Sequence, residues 1–101
     1  MTPAAIVQLL RYMYHSRQRQ NWLALLPVGG EDGTLEKRFL GAAAGRIHAK
    51  TGTLSHVSAL SGYAEAADGA VLAFSILVNN YNASASETRA LIDKICNLMI
   101  Q

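Results

Sequence analysis

The sequence has 101 residues, half of them apolar, which suits one small domain with a core that needs no disulfide or metal staple. Nine basic and seven acidic side chains leave a net charge of +2 with no run of like charge, so nothing in the composition supports a nucleic-acid-binding surface. No apolar run reaches the roughly 18 residues of a membrane span, and the N-terminus lacks the basic region and cleavage pattern of a secretory signal, which at face value keeps the chain in the cytoplasm.

The first element is a helix. Thr2-Pro3-Ala4 reads as a cap followed by proline at the first helical position, and Ile6, Leu9, Leu10 and Met13 recur at spacings of three and four. Arg11, His15, Arg17 and Arg19 gather at its end, where positive charge complements the helix dipole. A short apolar turn or helix over 21–26 stops at Pro27, and the glycine-rich stretch 28–33 reads as a loop. One or two more helical turns are expected over 34–40, making 2–40 the helical part of the chain, and Gly41-Ala-Ala-Ala-Gly45 reads as a flexible connection.

At Arg46 the period changes to two. Strands are expected over 46–54, 57–66 and 70–79, with Asp68-Gly69 as the hairpin signal between the last two. Both faces of the third run are apolar, so it should be an inner strand covered on both sides. Ser84-Ala-Ser-Glu87 is a capping box, opening a helix over 84–99 with the stripe Leu91, Ile92, Ile95, Leu98 and Met99. Cys96 lies in that pattern and has no partner for a disulfide or zinc site, so core packing is its expected role. The fold class is therefore α+β: a three-stranded antiparallel meander with N- and C-terminal helices packed on it, in one domain spanning 1–101.

Lys50-Thr51-Gly52-Thr53 is the candidate site. An ammonium, hydroxyls and a glycine without a Cβ suit a carboxylate ligand lying along a strand edge, whose N–H groups could also hold a developing oxyanion. The competing account is a β-bulge with Lys50 as a gatekeeper blunting an exposed edge. His48 and His56 flank the segment near Ser55 and Ser58, but no acid is placed to complete a triad. Tyr63, and Asn79-Asn80-Tyr81 at the end of the third run, are expected to pack and cap.

The whole stretch GRIHAKTGTLSHVSALSGYAEAADGAVLAFSILVNN resembles the C-terminal region of the serine D-Ala-D-Ala carboxypeptidases and endopeptidases of the low-molecular-mass penicillin-binding protein family. TPAAIVQLLRYMYHS, LALLPVGGEDGTL and the last helix extend the resemblance over essentially the full chain. The resemblance implies a piece of the penicilloyl-serine transferase (beta-lactamase/transpeptidase-like) fold, in which a KTG box joins two other motifs. Lys50 would then be the catalytic lysine of that box, with Thr51, Gly52 and Thr53 binding substrate and the Thr53 N–H serving the oxyanion hole. No metal or organic cofactor is implied.

The other two motifs are absent from the sequence. None of Ser16, Ser55, Ser58, Ser61, Ser75, Ser84 or Ser86 has a lysine three residues on, and no serine has an asparagine two residues on. The expectation is a C-terminal piece of a larger enzyme, carrying no nucleophile and inactive alone. Its partners would be the missing N-terminal part, peptidoglycan D-Ala-D-Ala peptides and beta-lactams, with the 70–79 edge open to self-association. The family implies a periplasmic location, which displaces the cytoplasmic reading. A non-enzymatic αβ ligand-binding or assembly module is the alternative.

Overall fold

The computed structural model describes residues 2–54, 56–79 and 84–101, leaving aside the side chains of Ala42, Thr53 and Leu54. Its first helix, α1, is Pro3–Tyr14, and the Thr2 hydroxyl accepts a hydrogen bond from the Ala5 N–H at 3.1 Å. A second helix, α2, is Arg19–Ala24. Helix then gives way, so the expected helical span of 2–40 is too long: beyond α2 only single 3-10 turns remain, at Gly33–Leu35 and Gly41–Ala43. The cause is backbone conformation. Gly30, Gly33 and Gly41 have φ of +74°, +58° and +70°, and Phe39 joins them at +56°, a region that no right-handed helix can pass through.

The segment 41–45 is also better anchored than a flexible connection. Ala43 is buried, and the Gly45 N–H donates to the Gly29 carbonyl at 2.9 Å. Phe39 is buried against Gly29, where an added Cβ would stand 2.9 Å from the Phe39 Cβ. The Arg38 guanidinium then ties this loop to the last helix through Asp93, with Nε 3.0 and 3.2 Å from the two carboxylate oxygens and a further bond from an η nitrogen.

Three strands follow: β1 Ile47–Leu54, β2 Val57–Glu65 and β3 Val71–Asn79. They form one antiparallel sheet in the order β1-β2-β3, the expected meander. The last helix, α3, is Ala85–Met99, and the Ser84 hydroxyl accepts from the Glu87 N–H at 3.0 Å. Because side chains alternate along a strand, the sheet presents two faces, and each is covered by helix. On one face Ile47, Ala49, Leu60 and Phe74 pack with Ile92, Cys96 and Ile100 of the α3 region. Complete burial of Ile47, Leu60 and Ile92 stabilises the fold by about 1.5–3 kcal/mol each. On the other face Tyr63 packs with Leu10 and Leu26, its hydroxyl donating to the Leu10 carbonyl and accepting from Trp22 Nε1 at 2.8 Å.

The third strand has the apolar pattern of an inner strand and lies at the edge expected of it in a C-terminal piece: among the described residues it has a neighbour on one side only, and Val71, Leu72 and Leu77 remain 41%, 41% and 53% exposed. Within this chain the helices cover its middle, where Phe74 is buried, and leave its ends open. Asn80 and Tyr81 lie outside the described residues. Among the described residues no helix is long and apolar enough to cross a membrane.

Candidate functional site

The outer edge of β1 is divided in two. Over its first residues it is paired with the loop that precedes it: Gly29 N–H donates to the Ile47 carbonyl at 2.8 Å and Ala49 N–H to the Pro27 carbonyl at 3.0 Å. These bonds fix which residues turn their backbone groups outward. Since alternate residues of a strand face the same edge, the N–H and C=O groups of Thr51 and Thr53 face outward too, beyond the end of the loop's cover. The loop ends its cover there because it turns. Asp32 accepts from the Val28 N–H at 2.7 Å, and Gly33 sits where a Cβ would come within 3.1 Å of the Pro27 ring.

Lys50 occupies this open half. Its side chain is exposed, and Nζ reaches around the strand to donate to the Thr51 carbonyl at 2.8 Å, one of the outward-facing oxygens. The ammonium thus stands at the edge itself. Thr51 turns to the opposite face, the one covered by α3, and its hydroxyl lies 3.3 Å from that of Thr34. That separation is long for two hydroxyls, so either can turn to another partner at little cost.

Gly52 is exposed, and among the described residues nothing requires a glycine there: a Cβ would meet the Ala59 Cβ at an ordinary 3.7 Å, and its φ is not positive. Gly62 in the neighbouring strand shows what a packing requirement looks like: a Cβ there would fall 2.1 Å from the His48 carbonyl oxygen and 2.5 Å from the Ala49 Cα. Thr53 pairs with Ser58 across β1 and β2.

The other sequence candidates do not gather at this edge. Ser55 lies outside the described residues, and Ser58 is buried on the α3 face. His56 takes a φ of +60° in the turn between β1 and β2. Tyr63 is buried and doubly hydrogen-bonded, and burial raises its hydroxyl above the usual tyrosine range. Cys96 is fully buried, and burial, assisted by the Asp93 carboxylate, pushes its thiol up to about 12, so it is inert as a nucleophile. Among the described residues no three His, Cys, Asp or Glu side chains are grouped to hold a metal.

Three contributors were not visible in the sequence. Thr34 meets Thr51 across 17 residues, Pro27–Gly29 closes half of the edge, and Arg38 holds the loop to Asp93 across 55 residues. No local spacing encodes contacts of that range, although the Asp-Gly-Thr turn at 32–34 was the signal that the loop is shaped.

The D-Ala-D-Ala carboxypeptidase 3 (S13) family matches this chain over residues 1–99. A D-alanyl-D-alanine carboxypeptidase from an Actinomadura species is 45% identical over 91 residues, covering 84% of this chain and 17% of that protein. The penicillin-sensitive carboxypeptidase A of Dictyostelium discoideum is 30% identical over 108 residues, covering 98% of this chain and 20% of that protein. In three dimensions, penicillin binding protein 4 of Haemophilus influenzae superposes with a TM-score of 0.79 and 26% identity, covering 97% of this chain and 23% of the other. The same protein complexed with a novel beta-lactam gives a TM-score of 0.79 at 27% identity, over 97% of this chain and 24% of the other. The fold is thus a portion of a penicilloyl-serine transferase fold, and the chain spans about a fifth of the length of the curated relatives it matches.

Proposed function

The chain belongs to the D-Ala-D-Ala carboxypeptidase 3 (S13) family, and from that premise we propose that it supplies one wall of a serine acyl-transfer site whose nucleophile is carried by another part of the full-length protein. The observation that carries this reading is the open half of β1, where an exposed ammonium stands on a strand edge that the preceding loop leaves unpaired. Its 101 residues act as the C-terminal part of a larger transpeptidase-like domain.

Each residue has a role that its chemistry can fill. Lys50 is the catalytic lysine: its positive charge stabilises the anionic forms of the reacting groups and draws a substrate carboxylate toward the edge. Thr51 and the Thr53 hydroxyl hydrogen-bond to the substrate. The outward-facing Thr53 N–H donates to the carbonyl oxygen as negative charge develops on it. Gly52 keeps the strand face free of a side chain where the peptide lies along it.

The reaction follows from these roles. A serine hydroxyl attacks the carbonyl of the D-Ala-D-Ala peptide bond while its proton passes toward the leaving nitrogen. The C–N bond breaks, D-alanine departs with its amine, and water then hydrolyses the serine ester. A beta-lactam acylates the same serine but keeps its leaving group tethered, so hydrolysis is slow. The substrates are peptidoglycan stem peptides, and the setting is the periplasm or its equivalent outside the cytoplasmic membrane. Without the rest of the enzyme the chain is silent. Its β3 edge, with Val71, Leu72 and Leu77 exposed, is then open to self-association.

Labelling with a fluorescent penicillin tests the assignment. The isolated chain should show no covalent adduct, the full-length protein should be labelled, and Lys50→Ala in the full-length protein should abolish labelling while its melting transition is retained. Covalent labelling of the isolated chain, or full labelling of the Lys50→Ala protein, would refute the reading.

A further inference from the structure

The turn between α1 and α2 holds a charge imbalance that neither helix explains. The first 30 residues carry three arginines and neither aspartate nor glutamate, while the remaining residues hold six basic and seven acidic side chains. Arg11, Arg17 and Arg19 are all exposed, and among the described residues none of them has a carboxylate partner. The helix dipole accounts for one of the three. Arg11 lies in the last turn of α1, where a cation is favoured. Arg17 lies beyond that helix, and Arg19 is the first residue of α2, at an end where a cation is disfavoured and no acidic residue in the first turn offsets it.

The arginines gather around one aromatic pair. Tyr14 and His15 meet edge to face with ring centroids 5.7 Å apart, and the Arg19 guanidinium lies over Tyr14, 4.9 Å from its centroid. Arg11, Tyr12 and His15 line one shallow hollow on the exposed face of α1, and Arg17 borders Tyr12 and His15 from the turn. Tyr12 is 71% exposed, and Leu9, three residues before it and so on the same side of the helix, is 44% exposed. Arg11 and His15 also share a groove with Gly69 and Leu72, which places this surface at the β2–β3 hairpin end of the sheet. Asp68 in that hairpin is turned to its own backbone, accepting from the Ala70 N–H at 2.9 Å. Cations and exposed apolar side chains therefore occupy one surface.

We propose that this surface docks on an anionic phospholipid membrane, with the three arginines at the headgroup phosphates and Leu9 and Tyr12 reaching the boundary of the acyl chains. Guanidinium groups match phosphate oxygens with paired donors, and a long arginine side chain keeps its charge in the headgroup layer while its stem lies along apolar atoms. Tyrosine suits that boundary because its ring is apolar and its hydroxyl polar. An extended polyanion would use the arginines alone and give no account of the exposed ring and leucine. The proposal does not rest on the acyl-transfer reading. The open half of β1 pairs with residues 57–60, at the end of the sheet away from the hairpin, so a membrane held at the hairpin end leaves the Lys50 edge uncovered.

Co-sedimentation of the full-length protein with vesicles tests the proposal. The expected result is binding to an equimolar mixture of phosphatidylglycerol and phosphatidylcholine, little binding to phosphatidylcholine alone, and release as salt is raised. Replacing Arg11, Arg17 and Arg19 together by Gln should lower the partition coefficient about a hundredfold, roughly fivefold for each arginine. Replacing all three by Lys, which keeps the charge, should preserve most of the binding. Tyr12→Ser should lower it roughly tenfold at low and high salt alike. Lys94→Gln, an exposed cation on α3 outside this surface, should leave it unchanged. All these positions are exposed, so each variant should keep the melting transition of the parent. The proposal is overturned if the two kinds of vesicle bind equally, if the Gln triple variant binds as the parent does, or if Lys94→Gln weakens binding as much as the triple. It is also overturned if Tyr12→Ser has no effect while soluble polyphosphate displaces the vesicles, since the partner would then be an extended polyanion. None of these outcomes touches penicillin labelling, so this proposal and the acyl-transfer reading fail separately.

Discussion

The two halves of β1 differ in almost every physical respect although they belong to one strand of eight residues. The first half is sealed: Ile47 and Ala49 are fully buried, their outward backbone groups are bonded to Pro27 and Gly29, and Gly62 is pressed against the His48 carbonyl from the neighbouring strand. The second half carries an exposed lysine, an exposed glycine with room beside it, and outward-facing backbone groups past the end of the loop's cover. Burial and hydrogen bonding in the first half hold the strand in place, so that the second can present its outward-facing backbone groups and the Lys50 ammonium without being free to move. A rigid scaffold whose strand edge is left open by the loop is what ligand binding along a strand requires.

The two glycines give the sharpest way to break this comparison. Gly62→Ala places a methyl carbon where the His48 oxygen and Ala49 Cα already stand, and backbone atoms cannot turn aside as a side chain can. The expected loss is about 3 kcal/mol or more in urea-induced unfolding, at the upper end of what overpacking costs. Gly52→Ala should change stability by less than about 1 kcal/mol, and in the stabilising direction, because a strand interior favours alanine over glycine. In the full-length protein the same Gly52→Ala change should nevertheless reduce penicillin labelling. Equal stability losses at the two positions would erase the distinction between the halves.

The clamp that holds the loop comes next in size. Arg38 and Asp93 are largely buried, with side-chain exposures of 13% and 26%, between the limits set by exposed and fully buried pairs. Asp93→Ala should therefore cost about 2 kcal/mol. If the loop seals the first half of β1 as its hydrogen bonds indicate, the amides of Gly29 and Ala49 should also lose protection from hydrogen exchange in this variant, while those of β2 and β3 change less. A stability loss with no local change in exchange would mean that the clamp serves α3 alone.

How much of this was legible follows from the range of each interaction. The three strands, the Asp-Gly hairpin and both capped helices were readable because each is encoded within a few neighbouring residues, and the structure places their ends within one or two positions of expectation. The region from Pro27 to Gly45 was not readable, because positive φ at Phe39 and a clamp between Arg38 and Asp93 depend on partners far along the chain. For β3 the apolar pattern asks for neighbours on both sides, and the described residues supply one, which leaves the exposed edge expected of a C-terminal piece. At the candidate site the residue types of Lys50 to Thr53 were plain in the sequence. That the strand edge opens beside Lys50, where the loop's cover stops, required the loop in three dimensions.

The smallest expected effect probes the buried support behind the sealed half. Cys96 belongs to the same core cluster as Ile47 and Ala49, and burial, with Asp93 nearby, raises its thiol from an ordinary value of 9.0 to about 12. Between those values the unfolded chain has released the thiol proton and the folded chain still holds it. The unfolded state then binds fewer protons, so unfolding free energy falls as pH rises through this window, and the contribution is intact below about 9. Tyr63, whose hydroxyl is also raised by burial, adds to the fall in the same direction, so the contribution of the thiol is read as a difference between variants. Cys96→Ala should be less stable than the parent at neutral pH, by the cavity it leaves, but its stability should decline less steeply from pH 9 upward. Parallel pH profiles for the two proteins would show that the thiol ionises as easily in the folded chain as in the unfolded one, and that the core behind Ile47 and Ala49 is open to water.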